Sequence, residues 1–148
     1  ANPSEIAVWI DPRSGAATNI LGVFPLIPGD GFGNTIRAAS VADANTASGV
    51  ERAVRRVLGR HASLLGIDVA QLGEARVTDV TPELWQVYIP QVYQGLPVRY
   101  GHLVASISHG NLVTVGVDSW GDVRGLSATP LIPAEAAVQG ALVLVGRC

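Results

Sequence analysis

Methionine is missing from all 148 residues, the first position included, and lysine is missing as well. Translation starts on methionine, so its absence predicts a processed or trimmed piece of a longer chain. The ten cationic side chains are therefore all arginine; they are scattered along the sequence, and the net charge is -2. With no basic patch to neutralise phosphates or anionic lipid, neither nucleic acid nor a membrane surface is an expected partner. Cysteine occurs once, as Cys148, which excludes an internal disulfide and leaves a thiol whose role the sequence does not define. No run approaches the roughly 20 apolar residues that a membrane-spanning helix needs, and the first residues do not read as a basic and then apolar leader.

What is present suits a packed domain: 48% of residues are hydrophobic and only 15% charged. The clearest pattern is a period of two from Trp85 to Val117. Trp85, Val87 and Ile89 alternate with Gln86 and Tyr88, and Leu103, Ala105 and Ile107 alternate with His102, Val104 and Ser106. Each run therefore presents one apolar and one polar face, as a half-buried strand does. Gln94-Gly95 interrupts the first run, and His109-Gly110-Asn111 leads from the second into a third, Leu112 to Val117. Glycine and asparagine accept positive φ, so His109-Gly110-Asn111 is a hairpin signal, and Gly95 with Pro97 is expected to form a turn.

Upstream, Ile6, Val8 and Ile10 alternate before Asp11-Pro12-Arg13-Ser14-Gly15, predicting an N-terminal hairpin over Glu5 to Leu21 that needs a surface to lie on. Pro28 to Asn34 reads as a glycine-rich connecting loop; it lacks the Gly-Lys-Ser/Thr of a phosphate cradle, and Asp30 and Asn34 fall short of a calcium ligand set. The strongest helix is expected over Ser48 to Leu65, where Val50, Val54, Val57, Leu58, His61 and Leu65 recur at spacings of three and four. Ser48 and Glu51 have the form of a capping box, Gly66 that of a stop, and Glu51 with Arg55 that of an i,i+4 pair worth about 0.3 kcal/mol. Ala75 to Val80 predicts another strand, Thr81-Pro82-Glu83 a turn, and Gly116 and Gly121-Asp122 the end of the body. A linker from Gly125 to Ile132 then precedes a helix over Pro133 to Val145, with proline near its first turn. Strands in succession after one helix favour an α+β fold with an antiparallel sheet.

One stretch resembles a known family. Tyr93-Gln94-Gly95-Leu96-Pro97-Val98, then Gly101, the pair Leu103-Val104, and a turn with Gly110-Asn111 and Val113 are similar to the FTP motif in the propeptides of fungalysin and thermolysin-type secreted zinc metalloproteases. With the preceding helix the resemblance covers about half the chain. Arg99 and Tyr100, standing between Val98 and Gly101, are a minor departure from the pattern. The resemblance implies a cystatin-like curved antiparallel sheet wrapped around one long helix, with residues 46–122 as the FTP-like domain and 1–45 as the N-terminal hairpin and loop. Residues 123–148 would be a linker and the first helix of a truncated PepSY-like lobe. It also implies a secreted prodomain that assists folding of its protease and inhibits it until cleaved, with the cognate catalytic domain as partner. Tyr93, Gln94, Gly95, Pro97, Val98 and Gly101 match the motif and are assigned to the fold; the inhibitory contact residues are not identifiable from the sequence.

The residues themselves assemble no catalytic signature. There is no His-Glu-x-x-His, no Gly-x-Ser-x-Gly, no Cys-His arrangement and no paired carboxylates, so no cofactor or metal is expected. Two alternatives to the prodomain stay open. One is a standalone protein-binding module on the same fold; in either case the apolar C-terminal helix is expected to aggregate, to pack on the body or to form a dimer. The other is a small enzyme using His61, His102 or Asp79, which would require an enclosed pocket around them.

Overall fold

The computed structural model describes residues 5–37 and 43–146. In chain order the elements are β1 (Ala7–Ile10), β2 (Ala17–Pro25), α1 (Ala47–Arg60), α2 (Ala62–Leu65), a 3-10 turn (Val69–Gln71), β3 (Arg76–Thr81), β4 (Leu84–Tyr93), β5 (Leu96–Ser108), β6 (Asn111–Asp118) and α3 (Ala134–Val145). The six strands form one antiparallel sheet in the order β1-β2-β6-β5-β4-β3. The fold is α+β, as the succession of strands after one helix predicts, with α1 packed on one face. The expected N-terminal hairpin finds its surface by joining this sheet, Ile20 pairing with Val115 and Asn19 with Gly116.

The period of two decides which face is buried. Val87 and Ile89 of β4, Leu103, Ala105 and Ile107 of β5, and Leu112 and Val115 of β6 form the sheet side of the core. Val50, Val54 and Leu58 of α1 form the helix side, each at most 1% exposed. Full burial of such side chains contributes about 1.5–3 kcal/mol apiece, so this layer carries most of the stability.

Both central hairpins use two-residue turns. Gln94 and Gly95 have φ of 49° and 81°, and His109 and Gly110 have 50° and 82°. Positive φ at both central positions is the type I′ geometry, whose twist matches that of the flanking strands. Pro97 is not in the turn; it lies in β5 opposite Val92. The two-residue loop closes at Leu96, so the strand begins sooner than the Gly-x-Pro pattern suggests. β5 then bulges, its register against β4 shifting between Pro90 and Val92, and Tyr100 in the bulge has φ of 65°.

Three further expectations are corrected. The helix predicted from Ser48 to Leu65 ends at Arg60, because His61 leaves the helical region with ψ of 17° and a new turn, α2, starts at Ala62. Thr46, not Ser48, caps α1: its Oγ1 accepts from the Gly49 amide at 3.1 Å. Glu51 turns away from the cap to bind Arg55 at 2.7 Å, and the predicted i,i+4 pair forms instead of the capping box. Gly116 does not end the body but sits inside β6, opposite Val104. Gly66, at φ of 62°, stops α2 as expected. Pro133 is the N-cap of α3, one position before the helix proper, and none of that helix is buried. Cys148 lies outside the described residues.

Candidate functional site

Of the motif residues, only Gly101 is buried; Tyr93 and Val98 are half-buried, and Gln94, Gly95 and Pro97 lie exposed along the β4–β5 hairpin. The reason for glycine at position 101 is local. A Cβ there would stand 2.5 Å from Oε1 of Gln91, on the facing strand. Gln91 is fully buried. Its Nε2 donates to Oε1 of Gln71 at 2.6 Å and to the Gly121 carbonyl at 2.7 Å, while its Oε1 accepts from the Gly121 amide at 2.9 Å. The side-chain amide thus pairs with residue 121 as a neighbouring strand would, and Gln71 extends the chain of bonds to Asp68. Every polar atom of the Gln91 amide is satisfied, which is the condition for a stabilising buried network. Gln91 continues the inward parity of Trp85, Val87 and Ile89; that parity was the available signal for it.

The remaining predicted site residues do not converge. His61 is exposed at the end of α1. His102 points to the opposite face of the sheet, stacked on Tyr88 with ring centroids 5.0 Å apart and its Nδ1 2.8 Å from the Tyr100 carbonyl. His109 stands on the β5–β6 turn, with Nδ1 2.8 Å from Oδ1 of Asp30. Asp79 is exposed on β3. Asp30 and Asn34 serve separate partners: Asn34 donates to the Ile27 carbonyl and accepts from the Ile36 amide. Hydrogen bonding from His109 holds the Asp30 carboxyl below the usual carboxylate range. Among the described residues no three His, Cys, Asp or Glu side chains are grouped to hold a metal ion, and no helix is long and apolar enough to cross a membrane.

The geometry instead offers open surfaces. The sheet face away from α1 carries a cross-strand row in register: Arg76, Tyr88, Val104, Gly116, Asn19 and Trp9. Arg76 lies over the Tyr88 ring at 5.9 Å. At one end of the sheet, Trp120 stands between two open clefts, a polar one of about 500 Å³ and a mixed one of about 360 Å³, that share Ser14, Ser63 and Gly66. Below this end, Asp122 is held by Arg124 in a two-point pair at 2.8 and 3.0 Å. Between β1, β2 and α1 runs an apolar groove of about 310 Å³, walled by Ile6, Val8, Phe24, Val57 and Leu64, with His61 at its edge.

His61, His102 and Asp79 do not share any of these clefts. The chain matches no family model, no curated protein and no solved structure.

Proposed function

We propose that the chain is the N-terminal prodomain of a secreted thermolysin- or fungalysin-like metalloprotease, an intramolecular chaperone and inhibitor of its catalytic domain until cleavage. The observation that carries this reading is the motif hairpin: Tyr93 to Val98 spans a type I′ turn, and Gly101 packs against the buried Gln91. A framework role for Gly95 in the turn and Gly101 against Gln91 would suit a non-catalytic module that presents a preformed surface. In this reading the sheet curves around α1 as in cystatin-like folds, the module acts outside the cell, and it needs no cofactor.

The mechanism is mass action. A prodomain that binds the native-like protease better than its unfolded states stabilises the former by RT ln(1 + [L]/Kd), about 2.7 kcal/mol at a concentration one hundred times Kd. The same contacts obstruct the catalytic cleft. Titrating this chain against the mature metalloprotease of the same precursor, with peptide hydrolysis and binding followed together, gives saturable inhibition in this reading. No binding at tens of micromolar overturns it.

A second reading, a freestanding protein-binding module, is favoured by one observation, the apolar groove beside β1. A dimer through α3 is compatible with either reading, since Val138, Leu142 and Leu144 of the helix are all more than half exposed.

A further inference from the structure

The folded body ends at a clamp. The Gly121 amide and carbonyl are both bonded to the Gln91 side chain, and just beyond it Asp122 holds Arg124. After the clamp little is covered: from Gly125 to Gly146 every residue but Ala128 is exposed, and α3 buries none of its side chains. Between Gly125 and Ile132, among the described residues, one main-chain bond forms, from the Leu126 amide to the Val123 carbonyl at 3.1 Å. The Thr129 amide bonds to the Ser127 hydroxyl. This tether nonetheless holds three large aliphatic side chains in water: Leu126 and Ile132 are 59% exposed and Leu131 is 96%.

An endoprotease takes its substrate as an extended strand, pairing with the main chain and lodging a side chain beside the bond to be cut. Only a segment that is exposed, with amides not already committed, can be taken in this way. The tether meets that condition, and its prolines select the bond. Cutting before Leu131 requires Pro130, with its fixed φ, on the carbonyl side; cutting before Ile132 puts Pro133, which has no amide to pair, in the next position. The bond from Gly125 to Leu126 has no proline from Asp122 to Thr129. Gly125 adds no side chain to obstruct an enzyme, and the single bond from Leu126 to Val123 opens at little cost. Arg124, the other residue a protease could select here, has its guanidinium on Asp122.

We infer that the peptide bond between Gly125 and Leu126 is a processing site for an endoprotease that accepts a large aliphatic residue on the amine side of the cut. The oxygen of a water adds to the Gly125 carbonyl carbon, the bond to the Leu126 nitrogen breaks, and both water protons end on that nitrogen. The body leaves with a carboxylate and the α3 segment with an ammonium group. The body loses none of its core, since every buried core residue lies between Ala17 and Val115. The site rests on the tether; its consequence rests on the prodomain reading. There, an inhibitor joined to its protease acts at an effective concentration of about millimolar, and cutting turns it into a separate molecule that dilution removes.

The test exposes the full chain to a trace of thermolysin, a probe that cuts before large aliphatic residues, and follows intact mass over time. The persistent body is expected to end at Gly125, whatever trimming α3 undergoes, and to melt as the uncut chain does. Leu126→Asp is expected to slow the appearance of that end at least about ten-fold, and Leu131→Asp to leave its rate unchanged. Both positions are exposed, so circular dichroism of the two variants matches the parent. A persistent body that runs to Pro130 or beyond, an end at Gly125 that Leu126→Asp does not slow, or loss of the body's melting transition on cutting overturns the assignment. The cognate protease takes no part in these readings. A cut at Gly125 together with absent inhibition in the titration above therefore supports the site and overturns the prodomain reading alone.

Discussion

At the scale of single residues the structure separates positions that backbone geometry dictates from positions that a side chain dictates. Gly95 belongs to the first kind: its φ is 81° and a Cβ there would meet nothing within 4 Å, so replacement is penalised through the backbone alone. Gly95→Val is expected to cost about 1–2 kcal/mol, read as a lower urea midpoint at unchanged slope. Asp122 belongs to the second. Side-chain hydrogen bonding from Arg124 lowers its pKa to about 2, so the pair contributes fully above the ordinary carboxylate value of about 3.9 and is lost as pH falls towards 2. In Arg124→Ala the Asp122 pKa, followed by NMR, is expected to rise only part of the way to its ordinary value, because the backbone amide of residue 124 still donates to Oδ1 at 3.3 Å. Gly95 was legible from turn chemistry. The role of Gln91 was not, because a lone glutamine after a proline reads as solvent-facing until the inward parity of Val87 and Ile89 is carried two residues further.

Among elements, the capping of α1 shows where local rules leave a choice. Thr46 and Ser48 both satisfy the residue preference for a cap, and only the second precedes a glutamate by three, which is why the sequence pointed to it. Glu51 has a stronger partner in Arg55, whose guanidinium also donates to the Gly73 carbonyl at 2.6 Å. That bond ties the helix to the approach to β3, a tertiary contact that no capping rule contains. Thr46→Ala is expected to cost about 1 kcal/mol and Ser48→Ala much less, compared by thermal melting of the two variants. The end of α1 at Arg60 was hidden for a similar reason: His61, Leu64 and Leu65 continue the apolar spacing through the break. Gln91 acts at this scale too, joining β4 to the 3-10 turn and to the segment after β6. Gln91→Leu leaves both polar groups of Gly121 and Oε1 of Gln71 without their partner and is expected to cost about 2–3 kcal/mol in urea unfolding. Hydrogen exchange then accelerates at Gly121 before it does at Ile89.

For the whole molecule, alternation gave the strands β4 to β6 and their inward residues, and helical spacing gave α1; neither states which strands become neighbours. That β2 would pair with β6 depends on long-range packing of Ile20 and Phe24 beside Val115 and Leu112, and a period of two is silent on it. The open groove was equally hidden, since it is made by Ile6 and Val8 from one end of the sequence and by Val57 and Leu64 from the middle. The same strand order has a consequence in time. Strands β3 to β6 follow one another through short turns and can assemble by local hairpins, whereas β2 must wait for β6 across nearly all of the intervening chain, a loop closure that is slow. In stopped-flow refolding, Ile20→Ala is expected to speed unfolding with little change in the refolding rate, and Ile89→Val to slow refolding. On that order the β1–β2 ribbon is expected to pair last and open first, so amide hydrogens of β1 exchange ahead of those in β4 and β5 and the outermost strand samples water while the central hairpins stay closed.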